Sequence, residues 1–218
     1  MTTRSSNTSP KAFTLIELLV VIAIIALLAA LLLTTRSDPP RTIPDCMSNQ
    51  KQIAIGMIMF VDDNAGKFPR QLSVTNRGTM EDTLLGSAVS SFKALSGYLM
   101  QARLLVCPSD KTRRVAADFA AFSNTNLSYF ANLDAITNSQ LSILAGDRHL
   151  QVNGQPVKSG LQLLATNLTV TWTRELHPRT TSPTGVLAFT DGHAQALREK
   201  LSACFQMQTL ATNRLVMP

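Results

Sequence analysis

From Leu18 to Leu33 the chain is unbroken apolar sequence, and the 18 residues between Glu17 and Arg36 carry no charge. Extended back to Phe13, the stretch is 21 residues long. As a helix it would rise about 31 Å, the thickness of a bilayer's hydrocarbon core. A segment like this excludes a wholly soluble protein, an intrinsically disordered one and a coiled coil. It also accounts for much of the charge deficit, since only 16% of the 218 residues are charged, below the usual quarter.

Residues 1–12 are polar and contain Arg4 and Lys11 but no acid. Basic residues before the apolar run and none within it predict a cytoplasmic N-terminus, with the remainder of the chain across the membrane. A cleaved secretory signal has a shorter apolar region and ends at a small-x-small site. Here TTRSDPP follows Leu33 and offers no such site, so the segment is expected to stay attached.

Glu17 does not suit a plain anchor. A carboxylate at the membrane centre costs roughly 2.5–3.5 kcal/mol, less toward the interface, and marks a functional position that needs a partner. No basic side chain follows within a helical turn, and Lys11 is six positions back. A cut before Phe13 would create a new cation, the α-amino group of Phe13. The Glu17 of a neighbouring subunit could neutralise it, which would set the axial register between adjacent helices.

The run Lys11-Ala12-Phe13-Thr14-Leu15-Ile16-Glu17-Leu18-Leu19-Val20 resembles the type IV prepilin cleavage and methylation motif. The resemblance implies cleavage between Ala12 and Phe13 by a prepilin peptidase, which also acts as methyltransferase on Phe13, and a role for Glu17 in assembly. Its partners would be other pilin-like subunits, the inner-membrane secretion platform and the membrane itself. Ala12 stands where the family usually has Gly. Pro39, Pro40 and Pro44 are a second departure, because they interrupt a helix that in many members runs unbroken into the head.

The expected organisation is a leader over 1–12, a transmembrane and assembly helix over 13–35, a proline-rich neck over 36–45 and a periplasmic head over 46–218. Asp45 suits an N-cap for a helix over Cys46–Val61, with Met47, Ile53, Ala54, Met57, Ile58 and Val61 at helical spacing. The segment CMSNQKQIAIGMIMFVDDNAGKFP is similar to the region after the helix in pseudopilins, including the major pseudopilin of type II secretion. Calcium is known in that subfamily, but its C-terminal loop has no counterpart here, so no metal residues are assigned. Asp62 and Asp63 do not follow EF-hand spacing and read as a polar turn.

Beyond residue 120 the pattern changes to strands. Asn153-Gly154 and Asp191-Gly192 each lie between apolar runs and predict two-residue hairpin turns. Leu168, Val170 and Trp172 alternate onto one face. The fold class is therefore α+β and pilin-like, with an N-terminal hydrophobic helix, a short second helix and an antiparallel sheet packed on it.

His177, Asp191 and His193 form the one constellation with chemical potential, and with His149 they include every histidine of the chain. A zinc site or an acid–base pair is conceivable there. No nucleophile motif or HExxH spacing accompanies them, and Asp191 has a ready role in a turn. His177 together with Gly185 through His193 is similar to the His-x-Asp-Gly C-terminal motif of many prepilin-type proteins, including Asp191, Gly192 and His193. Here 13 residues separate His177 from Asp191, a longer spacing than the one that names the motif. The stretches Leu105–Asp110 and Leu144–Arg148 are also similar to that group.

Three cysteines, Cys46, Cys107 and Cys204, allow three single bridges in an oxidising compartment. The resemblance covers the stretches around Cys46 and Cys107 and so implies that pair. Nucleic acid is excluded as a partner despite the net charge of +6, because no aromatic residues interleave the basic cluster at Lys111, Arg113 and Arg114. The expected function is a structural, non-enzymatic pseudopilin-like subunit without a cofactor. The alternatives are a membrane-tethered periplasmic binding module and a tethered hydrolase using His177, Asp191 and His193.

Overall fold

The computed structural model describes residues 13–34, 42–137, 139, 142–178, 180–198, 201–206 and 211–218. Ala12, the leader and residues 36–41 of the expected neck lie outside them. The described residues fall into two units, 13–34 in the first and those from Thr42 to Pro218 in the second.

In the first unit, α1 spans Leu15–Thr34, about 30 Å of helix. Its residues 15–29 are exposed on every side, which is about 22 Å of apolar cylinder. No helix among the described residues is long and apolar enough to cross a membrane.

The second unit opens with α2, Thr42–Asp63, four residues earlier than the sequence pattern suggests. Pro44 therefore sits in the first helical turn, where the backbone N–H groups have no intrahelical partner and a proline costs no hydrogen bond. Asp45 is a first-turn residue rather than the cap, and its charge favours the helix N-terminus. Cys46, Gln50, Ile53, Ala54, Met57, Phe60 and Val61 form the buried stripe of α2. Two short helices follow, α3 at Met80–Leu84 and α4 at Ala88–Lys93.

Among the described residues, nine strands then build two antiparallel sheets. They are β1 Tyr129–Asn132, β2 Ile143–Asp147, β3 Leu150–Val152, β4 Gln155–Pro156, β5 Gly160–Ala165, β6 Val170–Trp172, β7 Thr184–Phe189, β8 Ala194–Arg198 and β9 Thr212–Met217. The large sheet has the order β5-β9-β1-β2-β7-β8, and the small one β4-β3-β6. A last helix, α5 at Ser202–Gln206, precedes β9.

Strand periodicity explains why the large sheet is covered on both faces. Tyr129, Ala131, Val186, Ala188 and Val216 point to the α2 side, while Phe130, Leu187, Phe189, Leu215 and Met217 join Trp172 and Phe205 on the other. Every residue of β7 is buried, so after Thr184 the strand reads as a continuous apolar run instead of an alternating one. A Cβ on Gly185 would lie 2.3 Å from the Trp172 ring. That position is glycine because the indole packs directly on the strand backbone.

The two hairpins differ. Asn153 and Gly154 both have positive φ (49° and 80°), the two-residue turn that Asn-Gly favours. At Asp191-Gly192 only Gly192 has positive φ (88°). Phe189 N–H bonds the His193 carbonyl at 3.0 Å, so the loop holds three residues, Thr190 to Gly192. This corrects the two-residue turn expected there: the ladder closes one residue earlier, and Gly192 supplies the left-handed position of a three-residue loop.

Candidate functional site

At the start of α1, Thr14 and Glu17 cap the helix reciprocally. The Thr14 amide and hydroxyl donate to Glu17 Oε2 at 2.9 and 2.8 Å, and the Glu17 amide donates to Thr14 Oγ1 at 3.3 Å. Thr14-x-x-Glu17 is thus a capping box. Sequence reasoning sought a cation for Glu17 and missed this, although a threonine three residues before a glutamate ahead of an apolar run is its signature. Phe13 immediately precedes the cap and is 70% exposed. The carboxylate therefore bonds the amide of Thr14, the residue that follows Phe13.

In the head, α2 and the loop after a short 3₁₀ turn at Ala102–Leu105 bring Cys46 and Cys107 into a disulfide, with Cα atoms 5.3 Å apart. Both cysteines are fully buried. Beside them is a buried polar cluster that the sequence did not reveal. Asp147, at the end of β2, accepts from the Val186 amide at 2.8 Å and from Gln50 Nε2 at 3.1 Å. Gln50 Nε2 also donates to the Val186 carbonyl at 2.9 Å. His177 Nε2 stands 3.1 Å from Asp147 Oδ2. Since the carboxylate only accepts, Nε2 carries the proton of this bond, and in the neutral imidazole Nδ1 is then the acceptor. The signal for Gln50 was its position on the apolar stripe of α2, four residues after Cys46.

His177 therefore pairs with Asp147, and Asp191 pairs with His193. The His193 amide donates to Asp191 Oδ1 at 3.0 Å, and His193 Nδ1 bonds the same oxygen. The His193 ring stacks on Phe189 at 4.3 Å between centroids. Burial pushes the Asp191 carboxyl up, but hydrogen bonds from the His193 backbone and ring outweigh it and hold the carboxyl below its usual range. The expected constellation thus divides between a half-exposed hairpin and a buried cluster. His149 makes a separate, longer contact with Glu175 at 3.4 Å. Burial is the main force lowering its pKa, and the Arg148 charge adds to it.

A second buried carboxylate, Asp110, anchors the segment after Cys107. It accepts from Arg148 Nε at 2.9 Å and Nη2 at 3.2 Å, from the Thr112 hydroxyl at 2.7 Å and from Ser128 at 2.9 Å. Burial raises its pKa, but these hydrogen bonds and the Arg148 charge prevail and bring it to about 2. Among the described residues, the group of cysteine, histidine and acid side chains close enough to hold a metal is Cys46, Cys107 and His177.

Residues 8–33 match the family described as Prokaryotic N-terminal methylation motif. The chain thus carries a prepilin-type N-terminal motif, and its helices followed by a mostly antiparallel sheet head form an α+β, pilin-like arrangement. Neither a curated protein nor a solved structure matches the chain.

Proposed function

We propose that this protein is a pseudopilin-like structural subunit. It is inserted with residues 1–12 in the cytoplasm, cut between Ala12 and Phe13, methylated on Phe13 and assembled through its N-terminal helix. The fibre belongs to a type II secretion or type IV pilus-like system, and the head is held on the periplasmic side. The observation that carries this reading is the methylation motif at residues 8–33, whose Glu17 sits in the first turn of α1. Residues 13–29 expose apolar side chains all round, and a surface of that size calls for lipid or neighbouring helices. The work is mechanical: helix packing gives cohesion, Glu17 sets register and the head presents a surface.

The test is the intact mass and N-terminal residue of the protein isolated from its native membrane. An N-methyl-Phe13 start is the expected result. A Met1 start would remove processing, and with it fibre assembly, from the reading. A membrane-tethered binding module would then be favoured, a reading that also draws on the self-contained packing of Thr42–Pro218.

A further inference from the structure

His177 is 2% exposed, and its Nδ1 has no hydrogen-bond partner among the described residues. A buried acceptor left in this way is unfavourable, because its lone pair has lost water without gaining a donor. A ring nitrogen of His177 and the sulfurs of Cys46 and Cys107 all lie within 4.8 Å of one another. Two sulfurs on a tetrahedral zinc are about 3.8 Å apart, given Zn–S bonds of ~2.3 Å. The two sulfurs are bonded to each other in the disulfide, and once reduced they would have to part to that separation to hold one cation together with His177. Nε2 of the imidazole is already bound to Asp147, which is itself fixed by Val186 and Gln50, so Nδ1 is the nitrogen left for a cation. A metal-binding histidine characteristically donates its second ring N–H to a carboxylate in this way, which fixes its tautomer and raises its basicity.

We propose that, in the dithiol form of the protein, Cys46, Cys107 and His177 bind one thiophilic divalent cation of the zinc class. The disulfide and the metal are then alternative closures of the same point in the core. A dithiol reductant gives two electrons and two protons to the Cys46–Cys107 bond and becomes a disulfide itself. The cation displaces the two thiol protons and takes the imidazole lone pair, leaving one coordination position for water. A disulfide oxidant takes two electrons from the two thiolates and, with two protons from water, becomes a dithiol, while the Cys46–Cys107 bond re-forms and the cation is released. Asp147 is a positioning residue that orients His177. The inference rests on the head alone and is independent of fibre assembly.

The experiment uses the full chain in detergent. It is reduced with a phosphine under partial denaturation, returned to native buffer without oxygen and titrated with Co²⁺. The expected result is thiolate-to-cobalt charge transfer with tetrahedral ligand-field bands, saturating at one equivalent and bleached by Zn²⁺. The oxidised chain shows none of these. His177→Ala weakens binding at least tenfold and Asp147→Asn about tenfold, while Cys204→Ser leaves the spectrum unchanged. The proposal is overturned if the reduced wild-type chain gives no charge-transfer band, or if it remains unfolded with Zn²⁺ present. Full affinity in His177→Ala, or loss of the bands in Cys204→Ser, overturns it equally.

Discussion

Thr14 and Glu17 satisfy each other across the first turn of α1, with both Thr14 donors on one carboxylate oxygen. The carboxylate that the resemblance assigns to assembly is also the residue that starts the helix. Glutamine at this position preserves a capping box but removes the charge, so the two roles separate. Glu17→Gln should insert into the membrane with α1 intact, yet enter fibres at least tenfold less well, as read by sheared-fibre yield against total membrane protein. Glu17→Ala should lose assembly as well. Normal fibre incorporation of both variants would sink the register role.

The Cys46–Cys107 bridge spans 61 positions of chain. Constraining a loop of that length stabilises the fold by about 2–4 kcal/mol. A Cys46→Ala/Cys107→Ala double variant should show that loss in denaturant unfolding of the metal-free protein. Cys204→Ser should stay within about 0.5 kcal/mol of wild type.

Acid should act through Asp110. Its folded pKa of about 2 lies below the ordinary value near 3.9. A depressed carboxylate contributes stability that is complete above the unfolded pKa and is lost as pH falls through the folded one. Unfolding midpoints should therefore drop between about pH 4 and pH 2, and Asp110→Asn should flatten that part of the profile. An unchanged slope in the variant would assign the acid sensitivity elsewhere.

Gly185→Ala would drive a methyl group into the Trp172 ring. Overpacking a close-packed core costs about 1–3 kcal/mol. The loss should appear as a lower thermal midpoint together with a shift in Trp172 fluorescence, since this is the chain's single tryptophan.

Each feature legible in the sequence depends on residues close together along the chain. The length of the apolar run predicts α1, helical spacing predicts the body of α2, and Asn153-Gly154 predicts its turn because both residues need left-handed backbone. The capping box was equally local. A carboxylate beside an apolar run stands out as a charge in lipid, whereas the cap uses Glu17 as an acceptor for the Thr14 amide and hydroxyl. The three-residue hairpin at Asp191 was less legible, because the strand ladder and not the dipeptide decides where pairing stops.

Tertiary structure decided the head's chemistry. His177 meets Asp147 from 30 positions away, and Gln50 reaches Asp147 from 97. The second apolar face of the large sheet took shape only when β6 and α5 covered it. Periodicity states which residues of one element share a face, but it carries no information about which distant element arrives opposite. Pairing of that kind follows from packing the whole chain at once, because a buried donor is satisfied by whichever acceptor the fold brings within reach. The sequence alone determined a prepilin-type start, an apolar helix and an α+β head. Only packing decided that His177 faces Asp147 and the disulfide while Asp191 stays with its own hairpin.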